Sequence, residues 1–303
     1  MKRGGQRRRE FLSQIARFAI LGVATASLPR SSYGSSAPHQ RKPFPGELEA
    51  WVGKAFEYRA GCPLLEDFAW GQIRIHRAGS PEKLFVVMET RLEGIAGVIS
   101  LQRTDTLGSL VMWASSQGRF VPIWHADQVA RYGSWRRKVL VFDDGGMSCT
   151  EWRLSQEGAR SRRVVGQGRP LDDPLSAFLN WRAGAYGPLR PGETMVIDNL
   201  ARREPLLIRL QILPEEETRK RRPQDRSEWT FLMRAEVDRE VAESLRGTLE
   251  GWLDNQWVPL FARATNVRIV GEAWARLTGR GDLREPDLPA PPEPPLSIGR
   301  WRA

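Results

Sequence analysis

Between Phe56 and Ala275 the chain breaks into short apolar segments set apart by turn residues, and this rhythm restricts it to a sheet-built fold. Phe56–Ala60 and Trp70–His76 alternate, with Ile73 and Ile75 on one face. Leu84–Met88 is a continuous apolar run, and Val98–Thr104, Ser109–Trp113 and Phe120–Trp124 follow as further strand candidates. Trp135–Phe142 and Met147–Leu154 flank Asp143-Asp144-Gly145-Gly146, a strong hairpin signal. Later candidates are Thr194–Asp198, Leu206–Leu213, Trp229–Val237, Arg246–Leu253, Val258–Ala264 and Val267–Ala275. So many short strands without long helices between them predict an all-β, antiparallel architecture. A sheet of this size must protect its edges, so the expected shape is a curled sheet, an open or half β-barrel.

One short helix is predicted near residues 173–183, within Leu171–Arg182. Asp173 suits the N-cap and Pro174 the first helical position. Leu175, Phe178 and Leu179 then share a face, and Gly184 supplies the stop. Such a helix could plug or lid a groove in the curled sheet, with Phe178 and Trp181 reaching into it; the simpler reading is that Phe178 completes the core. Trp124 and Trp252 are the other aromatic candidates for a ligand surface. A second short helix is expected around Arg239–Leu245.

The ends of the chain differ from its middle. Residues 1–26 carry a basic start, the apolar run Phe18–Ala24 and an Ala24-Thr25-Ala26 cleavage pattern, the anatomy of an export signal. Within it, Arg8-Arg9-Glu10-Phe11-Leu12 resembles a twin-arginine signal read by export machinery, twin-arginine or general. The apolar run is far shorter than the roughly twenty residues a membrane-spanning helix needs, so no permanent span is expected. Residues 27–47 read as a linker, 48–278 as one β-rich domain and 279–303 as a Pro-rich disordered tail.

The charge is read with that division in mind. The formal net charge is +10, from 46 basic and 36 acidic residues. Residues 1–26 hold six basic residues and one acidic, which leaves 40 against 35, or +5, in the rest. The Arg219–Arg222 run follows Glu215–Glu217 and reads as a self-compensating solvated loop, so nucleic acid is not expected as a partner.

Chemistry-bearing patterns are sparse. Cys62 and Cys149 could form one disulfide in an oxidising compartment, worth about 4 kcal/mol in the chain-entropy model. Those two cysteines and three scattered histidines have no metal-ligand spacing, and no cofactor-binding motif is present. A Ser-His-Asp set can be assembled around His125 and Asp127, and His76 reads as a solvent-facing residue. Asp143-Asp144 and Asp172-Asp173 are the adjacent carboxylates a glycoside hydrolase would need, although turn and cap roles already account for them.

The succession Phe56-Glu57-Tyr58 with Gly71, Phe142-Asp143, the helix Asp173–Arg182, Gly192-Glu193, Asp198 and the stretch Leu249–Leu260 resembles the bacterial domain-of-unknown-function family 3108. The resemblance spans residues 50–278 and implies an exported, β-rich, mostly periplasmic protein. It carries no established activity, cofactor or catalytic residue. The expected function is that of a non-enzymatic envelope protein binding a hydrophobic ligand such as lipid, a glycan or a protein partner. The alternative is a hydrolase acting on envelope polysaccharide.

Overall fold

The computed structural model describes residues 45–166, 170–199, 206–236, 248–267, 271–288, 292–297 and 301. A short helix α1 (Gly46–Glu49) precedes strands β1 (Lys54–Cys62), β2 (Leu65–Ala78) and β3 (Lys83–Leu92). Helix α2 (Gly94–Ile99) leads to β4 (Thr104–Ala114), β5 (Arg119–Arg131), β6 (Ser134–Phe142), β7 (Ser148–Ser155) and β8 (Gly158–Val165). Helix α3 (Pro174–Arg182) separates these from β9 (Thr194–Asn199) and β10 (Leu206–Ile212). Helix α4 (Glu215–Arg221), β11 (Phe231–Glu236), β12 (Thr248–Leu253), β13 (Pro259–Val267), β14 (Gly271–Asp282) and the two-residue β15 (Asp287–Leu288) complete the order.

The fold is all-β in character, an open antiparallel sheet with few helices. Its order is β8-β7-β6-β5-β4-β3-β2-β1-β14-β13-β12-β11-β10-β9, with β15 alongside β2. Two meanders, β1–β8 and β9–β14, are therefore joined through the β1–β14 pair. Helix α3 packs against β4, β5 and β9. Those strands lie at distant positions of the sheet, so the stretch from β5 round to β9 curls about the helix, which fills the seam that no ladder closes.

The continuous apolar run of β3 has a direct cause: both faces of that strand are covered. Leu84, Val86 and Met88 point to the central core with α3, whereas Phe85 and Val87 join a second cluster on the outer face with Leu110, Trp124 and Val139. Leu288 and Trp301 from the C-terminal stretch pack over that outer cluster. Gly108 is what lets Trp301 lie there, since a Cβ at that position would sit 2.5 Å from the indole. Gln128 Nε2 donates to the Trp301 carbonyl at 2.7 Å and Gln128 Oε1 accepts from its N–H at 2.9 Å. Trp124 Nε1 donates to the Pro292 carbonyl at 2.8 Å, and Arg137 reaches the Pro295 carbonyl at 2.5 Å. The described part of the expected tail thus finishes β14 and then straps the sheet from outside.

Three segments and one cysteine pair differ from their sequence reading. Of the expected strand Val98–Thr104 only Thr104 is one, as the start of β4: residues to Ile99 belong to α2, and Leu101 and Gln102 turn the chain at φ +60° and +53°. Its apolar residues mimic strand alternation but face solvent. Glu215–Arg221 is a helix, not a loop, laced by Arg219–Glu215, Lys220–Glu216 and Arg221–Glu217 pairs at 2.9, 2.7 and 3.4 Å. Strand β8 lacks an apolar face because it is an exposed edge. Cys62 and Cys149 are not bridged; both are buried free thiols, in separate core clusters on strands six positions apart. The helix expected at Arg239–Leu245 and the export signal with Arg8, Arg9, Phe11 and Leu12 lie outside the described residues. Among the described residues no helix is long and apolar enough to cross a membrane.

Candidate functional site

Helix α3 occupies the interior of the curled sheet. Leu175 to Arg182 are all buried, so the helix has no solvent face and is held by core contacts on every side. Phe178 lies between Trp51 and Trp181, at ring-centroid distances of 5.6 and 6.0 Å. Trp181 is sealed in the same cluster, and its Nε1 has no hydrogen-bond partner among the described residues.

A polar network fixes the two ends of α3. Asp173 caps the helix: its Oδ1 accepts from the Leu175 and Ser176 N–H groups at 2.8 and 3.2 Å, while Ser176 Oγ accepts from the Asp173 N–H at 2.9 Å. The same Oδ1 accepts from Ser109 Oγ at 2.6 Å and stands 3.2 Å from His125 Nδ1. Ser109 Oγ is itself 2.8 Å from that Nδ1. A nucleophilic triad needs the serine and the acid on opposite ring nitrogens of the histidine. Here both meet Nδ1, the serine hydroxyl is spent on the carboxylate, and all three side chains are buried. The cluster ties the helix cap to β4 and β5 and has no attacking group. Burial pushes the Asp173 carboxyl up, but His125, Ser109 and Ser176 together hold it below the usual carboxylate range.

Asp172 works on the other side of the cap. It accepts from Arg119 and from the Tyr186 hydroxyl, and its Oδ1 accepts from Asn180 Nδ2 at 2.9 Å. Burial keeps this carboxyl above its ordinary range in spite of Arg119 and Tyr186. Asp143, the other acid considered for hydrolysis, accepts from the Ser148 N–H at 2.8 Å within the β6–β7 turn. Each of these carboxylates therefore has structural work in a different setting.

The sequence-chosen aromatics do not converge. Phe178 and Trp181 belong to the central core, Trp124 to the outer cluster under Trp301, and Trp252 to a third cluster with Trp229. All four are buried.

A different surface stands out at one end of the curled sheet. In an antiparallel meander alternate connections emerge at the same end. The β1–β2 turn, the β3–β4 connection with α2, and the β5–β6 turn are such a set. They carry Leu64, Ile95, Val98, Ile99, Leu101 and Tyr132, each at least 45% exposed. Helix α2 buries only Ala96 and Gly97, so its three large apolar side chains face outward.

Beside Tyr132 lies a cleft of about 660 Å³, lined by Arg91, Glu93, Gln102, Arg103, Arg131 and Tyr132 among others. Its walls are bonded together: Tyr132 N donates to the Leu101 carbonyl at 2.9 Å, Glu93 N to that of Phe68 at 2.8 Å, and Leu92 N to that of Arg103 at 3.2 Å. Glu93 pairs with Arg91 at 2.8 Å and with Arg59, and buried Asp105 pairs with Arg103 at 2.9 Å. Among the lining residues Arg91, Arg103 and Arg131 face one acid, Glu93, and the buried Asp105 neutralises Arg103. The Arg91 guanidinium also lies 4.4 Å above the Trp70 ring. This end combines exposed apolar groups with fixed positive charge, an arrangement suited to an amphipathic anion.

No family model matches the sequence, and no curated protein matches it. Two solved structures are similar in outline. A β-barrel-like protein of the domain of unknown function DUF1849 from Brucella abortus shares 10% identity over 76% of this chain and 98% of its own, with a TM-score of 0.40. A DUF1089 family protein from Pseudomonas aeruginosa shares 12% identity over 79% of this chain and 98% of its own, with a TM-score of 0.34.

Proposed function

We propose that this is an exported cell-envelope binding module without catalytic function, and that its ligand surface is the arginine-lined end of the curled sheet rather than the sheet's interior. One observation carries the reading: the interior is filled by α3, while six large apolar side chains stand exposed on connections at one end, where Tyr132 also lines an arginine-bearing cleft. Monomeric proteins seldom leave contiguous large apolar patches in water without a use for them. The ligand class that fits is an amphiphile with an apolar chain and an anionic head. The export pattern of residues 1–26 supports placement in the periplasm.

The test is a calorimetric titration of the full chain with monomeric dodecyl phosphate below its micellar concentration, with dodecanol as the uncharged control. Saturable binding of the phosphate ester, weakened about tenfold or more by Arg131→Glu through loss of a charge-assisted contact, is the expected result. Equal heats for the two compounds, or no binding, would remove the reading.

A further inference from the structure

We infer that the apolar end is a membrane-docking face that seats the protein on an anionic lipid surface, with lipid phosphates at the level of the cleft. The inference rests on the binding end proposed above and names its partner.

The layering of side chains is what points to a bilayer. Leu64, Ile95, Val98, Ile99, Leu101 and Tyr132 occupy the outermost connections of three neighbouring strand pairs. Arg91 and Arg131 sit at the ends of β3 and β5, one step inward from those tips, while Arg103, just before β4, is buried on Asp105. A face that enters the headgroup region needs apolar groups leading, cations at phosphate depth and amphipathic aromatics between them. Tyr132 and the half-buried Trp70, the latter under Arg91, supply the aromatics.

The alternative occupant fits less well. Arginines outnumber the one carboxylate in the cleft lining, which favours an anionic surface over a second copy of the same end. Arg59 and Arg91 are positioned before any lipid arrives, because Glu93 and the Trp70 ring hold them in place.

Vesicle co-sedimentation of the purified full chain tests the inference, using phosphatidylcholine alone and phosphatidylcholine with phosphatidylglycerol. Wild type should partition preferentially to the anionic vesicles. Val98→Asp and Ile95→Asp should each reduce that partitioning about tenfold, since each removes an aliphatic side chain from the apolar boundary and brings a charge there. Both positions are exposed, so the variants should keep the wild-type melting temperature. Residues 1–26 are identical in all the proteins compared, so the difference between them reads the loops alone. Equal partitioning of wild type and variants, or no preference for the anionic vesicles, would overturn the docking face. So would self-association of the wild type without vesicles that Val98→Asp abolishes, because the occupant would then be a second copy. Dodecyl phosphate binding that persists without vesicle binding would leave the ligand cleft standing and remove only the membrane.

Discussion

Asn180 gives both halves of its side-chain amide to the main chain of Phe120, Oδ1 accepting from the N–H at 2.6 Å and Nδ2 donating to the carbonyl at 2.8 Å. The β5–β6 ladder ends at the Trp124–Val141 pair, short of Phe120. A helix side chain thus stands in for the missing strand, and α3 becomes part of the sheet's hydrogen bonding.

Replacing Asn180 by leucine should therefore cost more than lost packing. It strands a buried N–H and a buried carbonyl, each worth about 1–3 kcal/mol when left unmade. A loss of about 3 kcal/mol in urea denaturation, with an unchanged slope, is expected.

Acid should loosen the helix cap. The Asp173 carboxyl is held low in the folded state, so its contribution is present above the unfolded carboxylate pKa and is lost as pH falls through the lower folded value. Asp172 acts in the opposite sense: its raised value means stability is lost as pH climbs through the range between its unfolded and folded values. Asp173→Ala should lower neutral-pH stability by about 1–2 kcal/mol, as loss of an N-cap does, and flatten the acid limb of the stability curve. Thermal melts between pH 2 and pH 7 provide the check.

Gly108 and Trp301 should be coupled. Gly108→Ala places a methyl group against the indole, and overpacking of this kind costs about 1–3 kcal/mol. Trp301→Ala alone should also destabilise, but the double variant should lose less than the sum. Limited proteolysis of the C-terminal stretch would show the strap released in Gly108→Ala.

Reductant should leave the melting temperature unchanged, because Cys62 and Cys149 are free. Burial, aided by Glu151, pushes the Cys149 thiol up to about 12 despite nearby Lys138, so it is a poor nucleophile at neutral pH. A thiol reagent should label neither cysteine in the native protein and both in urea.

What was legible in the sequence was whatever local chemistry dictates. Alternation marked most strands, Asp143–Gly146 marked the β6–β7 turn, and Asp173 with Pro174 marked the start of α3. Strand β8 was missed because Arg160, Ser161, Arg162 and Arg163 leave neither face apolar, as suits an edge. Helix α4 was hidden by its charges, whose spacing of four makes it stable. The meeting of Ser109, His125 and Asp173 joins three separate elements and has no local signature. The apolar end does have a signal in the sequence, large apolar residues in connections where polar ones are the rule, but Val98–Thr104 imitates a strand and masks it.

Because β14 lies between β1 and β13, the order of synthesis has a consequence. The first meander can zip from hairpin to hairpin as it emerges, and so can the second, since their pairings are local. Neither can join the other until Gly271–Asp282 has been made and inserted between them. A chain truncated before that strand would carry two unmatched edges, so assembly into one sheet is an event of release rather than of elongation.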